Sequence, residues 1–95
     1  MSATIWKFTL RGGEDNQYWA DMPVEARVLS CGYQGRDFVV WAIVNPTHPQ
    51  KPHRFHIAGT GHQLPGGVRA ENLVGRIEIG TQPLIFHVFD LDAHT

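Results

Sequence analysis

Hydrophobic and polar residues alternate along most of this chain, in short runs broken by glycine or proline about every eight to twelve positions. That rhythm predicts an all-β domain, and no useful stretch keeps the period of a helix. Thr4 to Leu10 places Trp6, Phe8 and Leu10 on one face and Lys7 and Thr9 on the other. Arg11 to Asn16 reads as a turn, and Gln17 to Met22 as a short edge strand stopped by Pro23. Glu25 to Tyr33 and Asp37 to Asn45 form a predicted hairpin about Gln34-Gly35-Arg36. Its second arm, DFVVWAIVN, is apolar on both faces, which predicts a central strand covered on both sides, with Val40 and Trp41 buried. PTHPQKP holds three prolines in seven residues and predicts an extended surface loop.

His53 to Ala58 alternates again, with Arg54, His56 and Ala58 opposite His53, Phe55 and Ile57. After a glycine-rich loop, in which a short helix within Gly66 to Asn72 is admissible, Leu73 to Ile79 and Leu84 to Asp90 predict a last hairpin. Residues 1–3 and 91–95 are expected to fray. The expectation is thus five to seven mainly antiparallel strands, in a partly open barrel or a sandwich forming one domain over residues 1–95.

Composition sharpens this picture. Ninety-five residues can bury only a modest core, and one cysteine, Cys31, rules out an internal disulfide framework. Self-association into a homo-oligomer is the expected supplement. A formal net charge of −1 argues against a polymeric nucleic-acid partner. No apolar run is long enough for a membrane span or a signal peptide, which predicts a cytoplasmic protein.

Four segments stand in a distinctive order: IWK at Ile5 to Lys7, WAIVNP at Trp41 to Pro46, RFHIAGTGH at Arg54 to His62, and FHVF at Phe86 to Phe89. The set resembles a family of short proteins from bacteriophages and prophage-bearing bacteria. Its pattern is an IWK-like strand, a WALVDP-like strand end, an RFxIxGTGH segment and a closing FHVF-like strand. Here Asn45 replaces the usual acidic residue before proline, and the segment from Gln63 to Arg76 is longer than the family's short link. The resemblance implies a phage or prophage context and expression in a bacterial cytoplasm; it carries no enzyme class.

The richest chemistry lies between His53 and Gly67, where three histidines, an arginine and four glycines fall within fifteen residues. Gly59-Thr60-Gly61-His62 has two readings. It is a sharp turn at a sheet corner, or a loop whose amides converge on an anion, aided by the Thr60 hydroxyl and His62. Arg54 is predicted to point outward and can clamp a carboxylate or phosphate with its fork. His56 lies on the same face, and Tyr18 and Trp19, in a weakly patterned segment, can stack on a planar ring. These eight residues form the candidate ligand site.

A metal site is not expected, because His53 and His56 point to opposite faces of a strand and no second cysteine is present. No cofactor is implied. Ser30, Cys31 and Thr60 are available as nucleophiles and Asp37, Glu78, Asp90 and Asp92 as carboxylates, but no spacing marks a nucleophile elbow. The first reading is therefore a homo-oligomeric accessory protein that sequesters a small anionic, nucleotide-like ligand. The alternatives are a factor that binds a host protein, through a strand edge or Tyr18-Trp19, and a small histidine-dependent hydrolase.

Overall fold

The computed structural model describes residues 2–93 and is built of two antiparallel sheets. The strands are β1 (Thr4–Thr9), β2 (Arg11–Gly12), β3 (Gln17–Pro23), β4 (Arg27–Gln34), β5 (Asp37–Val44), β6 (Gln50–Gly59), β7 (Leu73–Ile79) and β8 (Leu84–Asp90). One sheet has the order β1-β5-β4 and the other β2-β3-β6-β8-β7, and neither closes into a barrel. A single turn of 3-10 helix spans Ala70–Asn72. No helix among the described residues is long and apolar enough to cross a membrane.

Alternation sets the core. Val40, Ala42 and Val44 point inward from β5, and Ala20 and Met22 from β3. Phe55 and Ile57 of β6, Ile77 of β7 and Val88 of β8 complete the cluster. Leu10, also buried, is the residue at which the chain passes from one sheet to the other, its amide donating to the Phe38 carbonyl at 2.9 Å. Phe38 receives Tyr18, Tyr33 and Phe86 at tilted or edge-on angles, closing one end of the core with rings 5.3–5.5 Å away.

Seven strands coincide with the predicted segments, and four local expectations need correction. Arg11–Gly12 is a two-residue strand against Tyr18 and Trp19, so the turn begins only at Gly13. Because β2 covers so little, β3 is an edge only from Ala20 to Pro23, which is where its proline sits. The proline-rich loop ends earlier than expected: Gln50, Lys51 and Pro52 pair with Pro23, Met22 and Asp21. Pro52 is tolerated there because β8 joins β6 only from Phe55 onward, leaving β6 one neighbour at that point.

The third correction concerns β5. Val40, Ala42 and Val44 on its inner face are buried, but its outer face is largely open, so Trp41 is half-buried and lies against Gly32, where a Cβ would meet the indole at 3.0 Å. Lys7 Nζ donates to Gln34 Oε1 at 2.9 Å. Since β1 and β4 flank β5, this bridge passes over β5 and helps to hide Val39. The fourth concerns the tail. Leu91 donates its amide to the Arg54 carbonyl at 3.0 Å and Asp92 its amide to Asp90 at 3.0 Å, so the chain is docked rather than frayed at residues 91 and 92; residues 1, 94 and 95 lie outside the described residues.

Phe55 has no exposed surface and sits at the centre of the core. Phe55→Ala is expected to lower stability by about 3–5 kcal/mol, read as a shift of the urea midpoint with little change in slope.

Candidate functional site

The outer face of the five-stranded sheet is assembled by the register of β3 on β6. Gln17 stands opposite His56 and Trp19 opposite Arg54, so four polar or aromatic side chains project from adjoining strands to the same side. Two adjoining hollows open there. One, of about 250 Å³, is bordered by Gly13, Tyr18, Trp19 and Pro52; the other, of about 200 Å³, by His56, Pro65, Gly67 and Val68. Gln17, Arg54 and Leu91 belong to both and form the ridge between them. The long loop after GTGH thus supplies a wall, a role its length alone did not reveal.

Arg54 points outward as predicted, and its fork already holds a carboxylate. Its Nε and Nη2 donate to Asp92 at 3.2 and 2.7 Å, while its own amide donates to the same carboxylate at 2.8 Å. These bonds hold Asp92 below the usual carboxylate range and raise the guanidinium further, although the arginine side chain is still 64% exposed. A guanidinium has five N–H donors, and Asp92 takes two of them.

His56 is the unusual residue. It lies on the outer face, yet only 2% of it is exposed, and neither ring nitrogen has a hydrogen-bond partner among the described residues. Burial, and secondarily the nearby His62, push its pKa below the ordinary 6.5, which favours the neutral ring. A neutral imidazole offers one donor and one acceptor. Both are unsatisfied.

The GTGH segment folds as the turn of the two readings. His62 donates its amide to the Gly59 carbonyl at 3.0 Å, and Gly61 takes a φ of +90°, which glycine adopts without strain. The Gly59 amide donates to His62 Nδ1 at 3.0 Å and the Thr60 amide to the Ile85 carbonyl at 3.3 Å. These bonds engage the amides of Gly59, Thr60 and His62, which favours the turn over an anion nest built on all four amides. Gly59 is required for closeness: a Cβ there would press on the His62 ring at 3.2 Å. A third hollow, of about 400 Å³, lies beside Gly59, Thr60 and His62 and shares no lining residue with the two above.

Tyr18 and Trp19 are half-buried and diverge. The Tyr18 ring turns inward onto Phe38, whereas Trp19 points outward with the Arg11 guanidinium 3.8 Å from its ring centre. Only Trp19 presents an aromatic face beside Arg54, and Arg11 covers it.

A polar pair in the core escaped the sequence reading. His53 Nε2 donates to Asp90 Oδ1 at 2.6 Å, with both side chains less than a tenth exposed. The same oxygen accepts the Asp92 amide at 3.0 Å, so the pair anchors the tail that in turn holds Arg54. The signal was available: His53 alternates with Phe55 and Ile57, and Asp90 with Phe86 and Val88, so both had to face inward. Among the described residues no three histidine, cysteine or carboxylate side chains gather closely enough for a metal ion. Cys31 sits half-buried against Gly75, and burial raises its thiol pKa, so it behaves as a small apolar residue.

Because the folded pKa of His56 is depressed, the unfolded chain takes up a proton first as pH falls through 6.5. Its contribution to stability is complete above that value and declines below it, until the folded ring also protonates. Urea unfolding at pH 7.5 and 5.5 should show this loss in the native sequence and a smaller one in His56→Leu. An equal loss in both would assign the pH dependence to other groups.

No curated protein and no solved structure shows significant similarity to the chain. A family model does, and it covers residues 1–95. The chain with this two-sheet fold and outer-face site belongs to the family described as a domain of unknown function, DUF7352.

Proposed function

We propose that this protein is a small ligand-binding domain that holds a compact, anionic, nucleotide-like molecule in the hollows between Trp19, Arg54 and His56. The observation that carries this reading is the buried His56 ring with both nitrogens unpartnered among the described residues. Leaving a buried polar group unsatisfied costs about 1–3 kcal/mol. A ligand donor or acceptor that reaches one of the ring nitrogens, as the polar edge of a nucleobase offers, recovers part of that cost. The exposed side of Arg54 then meets an anionic group, and Trp19 with Arg11 supplies a flat flank. Each hollow alone is smaller than a typical small-molecule site, but the two together fall in the lower part of that range.

The resemblance to phage and prophage proteins gives this binding a context: an accessory protein of a bacterial host's cytoplasm that sequesters a nucleotide signal. Sequestration needs no nucleophile and no metal, only affinity and abundance.

Thermal unfolding with a panel of nucleotides, checked by native mass spectrometry, tests the reading. At least one member should raise the melting temperature. Arg54→Ala and Trp19→Ala should each weaken that member's binding by tenfold or more while leaving the circular dichroism of the free protein unchanged. No response to any nucleotide, or unchanged affinity in Arg54→Ala, would reject it.

A further inference from the structure

The two sheets leave free edges, and most of them carry a device that discourages pairing with another chain. A bulge interrupts β4 between Val28 and Ser30, and another interrupts β7 between Leu73 and Gly75. β2 has only two residues, and the stretch of β3 beyond it ends in Pro23 and carries Asp21, which is paired with Arg11. β1 differs. It is six residues long, pairs with β5 in unbroken register, and has no strand on its other side among the described residues. Its one charged residue, Lys7, is tied across the sheet to Gln34 and so does not guard the edge. Ile5 and Trp6, on its two faces, are 57% and 37% exposed.

We propose that β1 pairs with β1 of a second copy about a two-fold axis through Trp6, joining the two three-stranded sheets into one of six strands. The register follows from geometry. Opposed residues of an antiparallel pair point to the same face, so an axis normal to the sheet must pass through a residue facing its own symmetry mate. Beyond Thr9 the chain crosses to the other sheet, so the free edge is the earlier part of the strand. An axis at Lys7 would oppose two ammonium groups, which is unfavourable. An axis at Trp6 sets Trp6 against Trp6, Ile5 against the aliphatic stem of Lys7, and Thr4 against Phe8.

Surface area favours a second copy of comparable size. The chain exposes 6265 Å², whereas a folded monomer of its 10.7 kDa mass is expected to expose about 5,500 Å². The excess is close to the roughly 800 Å² that each partner buries in a standard interface. This edge shares no residue with the lining of the hollows around Arg54 and His56, so pairing and ligand binding can fail independently.

Light scattering of the native chain at micromolar concentration should give a dimer mass. In a Cys31→Ala background, Trp6→Cys should form a disulfide-linked dimer on mild oxidation, since directly opposed Cβ atoms lie about 4.5–5.5 Å apart, near disulfide reach. Trp6→Lys should raise the dimer dissociation constant by tenfold or more, whereas Leu29→Lys, on the β4 edge, should leave it unchanged. A monomeric mass for the native chain overturns the proposal. So does a dimer that Leu29→Lys disrupts and Trp6→Lys does not, or one that Trp6→Cys fails to cross-link while circular dichroism shows the native spectrum.

Discussion

The structure turns on the double burial of β6. Phe55, His56, Ile57 and Ala58 are consecutive and all buried, which a strand permits only if both of its faces are covered. The core between the sheets covers Phe55 and Ile57. On the other side, Pro65, Gly67 and Val68 share a hollow with His56 and Leu91, so the loop after GTGH and the start of the tail close over that face. The turn at Gly59 to His62 sends the chain back across its own strand, and the tail is drawn in through the amide of Leu91. The turn, loop and tail are consequences of hiding one strand from water.

This constraint explains what the sequence could and could not disclose. Alternation and glycine or proline stops located seven strands, because period and punctuation are local properties. The largely open outer face of β5 was not legible: a strand apolar on both sides reads as doubly covered, and nothing local says that Trp41 hides its neighbours by lying against Gly32. The docked tail was illegible for the same reason. LDAHT is polar and terminal, but Asp92 meets a guanidinium 38 positions earlier in the chain. For the site, strand register correctly turned Arg54 outward and set His56 beside it. The spent amides of GTGH depended on where the His62 ring would fall, and the divergence of Tyr18 and Trp19 was visible in alternation but obscured by the short, weakly patterned segment around them.

Polar groups inside this small protein are ordered as a relay. His53 holds Asp90, Asp90 holds the Asp92 amide, and Asp92 holds Arg54. Removing one partner of a buried hydrogen-bonded pair leaves the other unsatisfied, which is more damaging than losing an exposed ion pair. The inner end of the relay therefore bears on stability, and the outer end, with its exposed guanidinium, is free to exchange partners. If an anion binds at Arg54 as proposed, it would meet a fork pre-oriented by Asp92, and such pre-orientation lowers the ordering cost of binding. Asp92 also offsets part of the positive charge, so recognition there rests on directed hydrogen bonds more than on long-range attraction.

Two features run against the economy of the fold: a buried imidazole with no hydrogen-bond partner among the described residues, and an unpaired strand edge without protection. A domain of this size has a net stability of roughly 5–15 kcal/mol, so an unsatisfied ring costing about 1–3 kcal/mol is a sizeable fraction of it. A leucine at that position would fill the space and remove the cost. Each feature is of the kind that a bound partner relieves, the ring by a polar ligand edge and the strand by another strand. Anything that binds only the folded state adds about 2.7 kcal/mol when present at a hundred times its dissociation constant. On the proposed readings, a ligand beside His56 and a second copy at β1 would each add to the stability of a chain with no internal disulfide.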